Sequence, residues 1–186
     1  MKHIVYIAAL LLVSLAFAGD NKVDNFELRD VQGTSRELKE WQNEKAIVLM
    51  FIATKCPVSN AYNDRMNELY RDYHEKGVAF VGINSNKTEP MQEVKKHAQE
   101  QGFKFTVLKD EKNLIANRLG ANVTPEIYVL DPDLNIVYHG RIDDSQNPDQ
   151  IKSKDLRKAL DQLLQDKKIQ TTKTKAFGCT IKKVSE

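Results

Sequence analysis

Ala46-Ile-Val-Leu-Met-Phe-Ile-Ala-Thr-Lys-Cys-Pro-Val-Ser59 sets the architecture of this chain. Ala46 to Ala53 is an unbroken apolar run, the composition of a strand buried on both faces, and it stops at Thr54-Lys55 before a Cys-Pro pair. Beyond Pro57 the period changes. Val58, Ala61, Tyr62, Met66, Leu69, Tyr70 and Tyr73 recur at helical spacing, which predicts one amphipathic helix laid on the preceding strand and closed near Gly77. Pro57 suits the first helical turn, so Cys56 falls at or beside the N-cap. Unpaired amides, the helix dipole and the neighbouring Lys55 favour a thiolate there, and cysteines in such settings have pKa values of roughly 3.5 to 7.5. Cys56 is therefore the candidate nucleophile; the plainer reading is a small hydrophobe that ends a strand.

With 186 residues, 41% hydrophobic and 29% charged, the chain suits one domain with its own core. A formal net charge of +2 leaves no electrostatic footprint for nucleic acid. Met1-Lys-His is a short basic start, Ile4 to Leu15 an apolar run, and Ala16-Phe17-Ala18 a small-x-small cleavage site. This pattern predicts a signal peptide over 1–18, export to the periplasm or beyond, and no lasting membrane anchor. The expected domain is 19–165, followed by a tail, 166–186, that carries Cys179. Outside the cytosol Cys56 and Cys179 can form one disulfide, stay free, or engage a partner thiol. Two cysteines are too few to staple a domain of this size, so functional chemistry is the more economical reason for them.

The remaining pattern alternates strands and helices. Phe26-Glu-Leu-Arg-Asp30 with the Gln32-Gly33 turn reads as a leading hairpin, and Val78-Ala-Phe-Val-Gly-Ile83 as a second buried strand joined to the first by a parallel crossover. A surface helix is expected from about Thr88 to Gln101, a short strand over 103–108 and a short helix over 113–119. Val123-Thr124-Pro125 precedes an antiparallel pair, 127–131 with 136–140, and leucines 156, 160, 163 and 164 give a last helix. From Asp166 the chain is polar and lysine-rich up to Ala176-Phe-Gly-Cys-Thr-Ile181, and it reads as a mobile tail.

This order resembles the thioredoxin fold, an α/β architecture with a mixed central sheet flanked by helices. The likeness rests on Phe26-Glu-Leu-Arg-Asp with Gly33, Leu49-Met-Phe-Ile-Ala-Thr-Lys-Cys-Pro57, Gly82-Ile-Asn-Ser-Asn86 and Val123-Thr-Pro125. It is similar to the redoxin branch that groups TlpA-type thioredoxins with peroxiredoxins of the alkyl hydroperoxide reductase and thiol-specific antioxidant type. Cys56-Pro-Val-Ser59, Ile83-Asn-Ser-Asn86, Tyr138-His-Gly-Arg-Ile-Asp-Asp144 and Gly178-Cys-Thr-Ile-Lys182 together look like its peroxiredoxin-like members of unassigned role. The resemblance implies a cis bond at Pro125, with Thr124 offering its backbone to a substrate beside the Cys56 sulfur. It implies substrate contacts at Pro57 and Ser59 as well. It also implies a thiol-disulfide oxidoreductase acting on protein or small-molecule thiols and disulfides, with no organic cofactor and no metal. Yet Ser59 stands where thioredoxins carry a second cysteine, and a serine cannot release a mixed disulfide. Ala53 and Leu49 stand where peroxiredoxins carry threonine and proline, which argues against efficient peroxide reduction and leaves only a weak peroxidase as an alternative. Cys179 is then the candidate resolving thiol; a structural bridge and unpaired thiols remain open.

A binding module for Cu(I) or a peptide is the alternative in another class. His74, His97 and His139 stand singly and read as solvated surface residues, with His139 the hardest to dismiss. Asp143-Asp144 reads as a turn pair rather than a calcium or acid–base site.

Overall fold

The structure, a computed structural model, describes residues 21–184. The leader read at 1–18 lies outside the described residues. β3 (Ala46–Phe51) is buried at every position, as a wholly apolar strand requires when both of its faces are covered. It pairs in parallel with β4 (Val78–Asn84), from Ala46 opposite Val78 to Phe51 opposite Ile83, and antiparallel with β7 (Glu126–Leu130) on its other side. β1 (Glu27–Asp30), β2 (Ser35–Glu37), β5 (Thr106–Lys109) and β8 (Ile136–Gly140) complete a mixed seven-stranded sheet in the order β2-β1-β5-β4-β3-β7-β8.

The two-residue period of β3 divides the core. Ala46, Val48 and Met50 face α2 (Asn63–Tyr73), α3 (Met91–Glu100) and α5 (Asp155–Leu164) through Met66, Leu69, Val94 and Leu160. Ile47, Leu49 and Phe51 face the opposite layer, where Leu38 and α4 (Leu114–Leu119) cover the sheet. A mixed sheet with helices on both faces is the thioredoxin fold that the sequence led us to expect.

Two expectations are corrected. The single helix after Cys56 is two: α1 (Pro57–Asn60) ends within one turn, and α2 starts after a break at Ala61–Tyr62. The break sends Tyr62 inward, 1% exposed, where its hydroxyl donates to Asp143 at 2.8 Å. The tail, expected to stand free, is folded onto the domain over its described residues, 166–184. The His139 amide donates to the Thr172 carbonyl and the Thr174 amide to the His139 carbonyl, at 2.9 and 3.0 Å. Farther on, β9 (Cys179–Thr180) pairs antiparallel with β6 (Val123–Thr124) as a small second sheet. Among the described residues, no helix is long and apolar enough to cross a membrane.

Candidate active site

Cys56 is delivered by the end of β3 and fixed by the start of α1. It is the N-cap of α1, with Pro57 exposed in the first turn, and its Sγ accepts the Ser59 amide at 3.3 Å. The loop before it is held from below. Glu89, 2% exposed, accepts the amides of Thr54 and Lys55 at 2.9 and 3.1 Å. Lys55, expected to lend its charge to the sulfur, turns instead to Glu93 at 3.0 Å and to the Thr88 carbonyl. Ser59 is fully buried, and its hydroxyl accepts the Ala53 amide at 3.1 Å. It ties α1 to the end of β3 and presents no surface to a substrate, unlike the substrate-contacting position the sequence suggested.

The other wall is β6. The Thr124–Pro125 bond is cis, and the Thr124 carbonyl lies 3.3 Å from Cys56 Sγ, where the thiol form donates to it. Thr124 is 1% exposed. Directly across from Thr124, in register, sits Cys179. The strand pair thus brings together two cysteines 123 positions apart in the chain.

The sulfurs differ in ionisation. Burial pushes the Cys56 thiol up, but the Cys179 side chain, the Thr124 hydroxyl, the Ser59 amide and the Cys179 amide outweigh it, and the net shift is downward. Cys179 moves the other way. Its interaction with the Cys56 sulfur holds the proton on it and burial adds to this, against the Val58 amide and the charge of Lys182. Of the two sulfurs, Cys56 is therefore the one that loses its proton more readily. Both are reduced, with Cys56 4% exposed and Cys179 half-buried.

The docking of Cys179 rests on Gly178. A Cβ at that position would fall on the Thr124 carbonyl oxygen, so only glycine lets the two strands approach. Phe177 meets Tyr62 edge-on at 6.2 Å, and Ile181, 3% exposed, enters the core beyond β9. Both anchor the tail on the domain. Gly178→Ala is expected to lift β9 from β6, so that the amides of Cys179 and Ile181 lose most of their protection in hydrogen exchange while those of β3 keep theirs.

Other residues depart from their expected surface roles. His139 Nε2 lies 2.7 Å from Glu126 Oε1, and the ring stacks on Tyr128 at 4.1 Å. Glu126 is 6% exposed; burial pushes its carboxyl up, but His139 and the amides of Asn122 and Val123 pull it down on balance. His97 is half-buried, and burial lowers its pKa. His74 stacks on Tyr70. Asp143 is 3% exposed and bound by Tyr62 and Arg65, and it also accepts the Ser145 amide as a turn residue would; Asp144 accepts the amides of Lys152 and Ser153 across the loop. Among the described residues, no group of three or more histidines, cysteines and carboxylates is gathered around one point, so the copper alternative would rest on the two sulfurs alone.

Residues 20–139 match the model of the AhpC/TSA family. This chain belongs to that family. A thiol-disulfide oxidoreductase, ResA, of Halalkalibacterium halodurans is 32% identical over 124 residues, which cover 67% of this chain and 68% of the relative. An uncharacterized conserved protein from Geobacillus kaustophilus superposes with a TM-score of 0.83 at 34% identity, covering 89% of this chain and 92% of its own. The thioredoxin domain of a thiol-disulfide oxidoreductase from Bacteroides vulgatus shares the fold at 16% identity, with a TM-score of 0.58 over 67% of this chain and 89% of that domain. The family member is accordingly a homologue of thiol-disulfide oxidoreductases, an enzyme class whose chemistry begins at a thiolate.

Proposed function

We propose that this protein is an exported thiol-disulfide oxidoreductase that reacts through Cys56 and uses Cys179 of its own tail as the resolving thiol. The observation that carries this reading is the β6–β9 register, which sets Cys179 opposite Thr124 and beside the Cys56 sulfur. Export is supported by the basic start, apolar run and small-x-small site over 1–18.

The exchange has two displacements. The Cys56 thiolate attacks one sulfur of a substrate disulfide; a bond forms from Cys56 to that sulfur, and the other substrate sulfur leaves as a thiolate that takes a proton from water. Cys179 then attacks Cys56 Sγ, the mixed disulfide breaks, and the remaining substrate sulfur departs. The substrate gains two electrons and two protons as a pair of thiols, and the protein is left with a Cys56–Cys179 disulfide. An external dithiol returns it to the reduced state.

The ionisation pattern suits this order. Before reaction the neighbouring Cys56 sulfur raises the Cys179 pKa and favours its thiol form. Once Cys56 is tied up in a mixed disulfide its hold on the Cys179 proton is gone, and burial alone still opposes the Val58 amide and Lys182, so the Cys179 pKa falls. The resolving thiol is activated by the very step that creates its target.

Cys179→Ser tests the reading. The variant should accumulate a Cys56 mixed disulfide, visible by mass, whereas the wild type should clear it and form the internal bond. Clearance at the wild-type rate in the variant would overturn the assignment. In Cys179→Ala the strongest influence lowering the Cys56 pKa is removed, so the pH midpoint of Cys56 alkylation should move upward; an unmoved midpoint would show that the two sulfurs do not interact.

A further inference from the structure

Ile83-Asn-Ser-Asn86 belongs to no step of the exchange just described, yet its polar side chains are buried at the end of β4. Asn84 is 0%, Ser85 1% and Asn86 4% exposed, and Lys109 is 5% exposed beside them. Buried amides and an ammonium at the end of an apolar strand need partners to offset their lost hydration. Those partners lead in two directions.

One direction ends at Cys56. Asn84 donates through Nδ2 to Glu89 Oε2 at 2.6 Å, and the Glu89 carboxylate spends its other valences on the amides of Thr54 and Lys55, the two residues before the nucleophile. Lys109 Nζ closes this arm by donating to Asn84 Oδ1 at 2.8 Å and to the Asn86 carbonyl at 2.7 Å.

The other direction ends at Cys179. Asn86 Oδ1 accepts the Lys182 amide at 2.8 Å, and the Lys87 amide donates to the Lys182 carbonyl at 2.9 Å. Ser85 extends the arm. Its carbonyl accepts from the Asn113 side chain, whose Oδ1 in turn accepts the Val184 amide at 2.7 Å. The tail segment just after β9 is therefore pinned by side-chain amides rather than by a long ladder, since β9 itself pairs over only two residues.

We propose that Asn84-Ser85-Asn86 is the positioning device of the redox centre: Asn84, through Glu89, holds the loop that delivers Cys56, and Asn86 holds the strand that delivers Cys179. The inference rests on the exchange reading above and adds to it that Asn86 governs the second displacement, by fixing the effective concentration of Cys179 at the mixed disulfide.

The test uses the full-length reduced protein and a substoichiometric aromatic disulfide, dithionitrobenzoate, whose two thiolates are released one per displacement and absorb visibly. Asn86→Ala removes the acceptor for the Lys182 amide; Asn86→Asp keeps an oxygen there. In Asn86→Ala the first release should be no slower than in the wild type and the second should slow by about tenfold, the weight of one buried hydrogen bond. Asn86→Asp should bring the second release back to near the wild-type rate. A second release at the wild-type rate in Asn86→Ala would overturn the positioning role, and so would equal slowing of both releases, the mark of general structural damage. Failure of the exchange reading looks different: the wild type itself would then show no second release, and the role of Asn86 would fall with it.

Discussion

Cys56→Ser is expected to lower catalytic reduction of a disulfide substrate by about a thousandfold or more, the usual consequence of deleting a nucleophile on which both displacements depend. The expected residue of activity is informative. Serine still offers Cys179 a hydroxyl from the α1 N-cap, but the sulfur that most raises the Cys179 pKa is gone, while burial, the Val58 amide and Lys182 remain. Cys179 should then become a slow nucleophile in its own right. It would take up one substrate sulfur and stop, because no second thiol exists to resolve the adduct. Mass measurement after exposure to a small disulfide should show a stable adduct at Cys179 in Cys56→Ser, and steady-state reduction of a protein disulfide should be absent. Reduction in Cys56→Ser at anything near the wild-type rate would place the chemistry elsewhere. The contrast with Cys179→Ser, which should load at Cys56 rapidly, separates the two sulfurs by role rather than by presence.

The parts of this site that a reader can find in the sequence are those that carry a period or a breaker. The apolar run from Ala46, the stop at Thr54-Lys55 and Pro57 after the cysteine locate the strand, the turn and the N-cap, because each is a local consequence of burial or backbone geometry. The helix after it is read too long for a related reason. Val58 and Ala61 continue the spacing numerically, although Val58 is only half-buried and Ala61 is exposed, and nothing in a period reveals that Tyr62 must turn in to reach Asp143.

The tail is illegible for a different reason. Its strand is two residues long, and several of its other anchors are asparagine groups elsewhere in the chain: the side chains of Asn86 and Asn113 and the Asn122 carbonyl, which accepts the Ile181 amide at 2.9 Å. Such bonds leave no periodic mark in either partner. Phe177 and Ile181, two apolar residues flanking a cysteine in a lysine-rich stretch, were the available sign that the segment docks. The Glu126–His139 pair had a sign as well. Glu126 heads an otherwise apolar strand, and the β7–β8 register places Tyr128 opposite His139, one inward step from the glutamate.

Asp143→Ala carries the largest expected cost in stability, about 3 kcal/mol or more, because it strands a buried guanidinium and a buried phenol together. Arg65 Nη1 reaches both Asp143 oxygens, at 2.8 and 2.6 Å, and its side chain is 12% exposed against 4% for the aspartate. The guanidinium also lies over the Tyr62 ring at 3.7 Å, and the Tyr62 hydroxyl shares the same carboxylate. Arg65 retains the carbonyls of Ser145 and Gln146, which keeps the expected loss at the lower end of the range for a broken buried pair. Urea unfolding should show the midpoint falling with an unchanged slope. Replacing both charges with apolar residues, as in Arg65→Met with Asp143→Leu, should recover the part of the loss that comes from the stranded guanidinium and leave the part that comes from the Tyr62 hydroxyl, which loses its acceptor in both variants. The site would register the difference. Tyr62 is the surface on which Phe177 rests, two residues before Cys179. A single Asp143→Ala that frees the tyrosine should therefore also slow the second displacement, and a double variant that regains that part of the stability without restoring that rate would show that the orientation of the Tyr62 ring, and not the charge pair, holds the tail over Cys56.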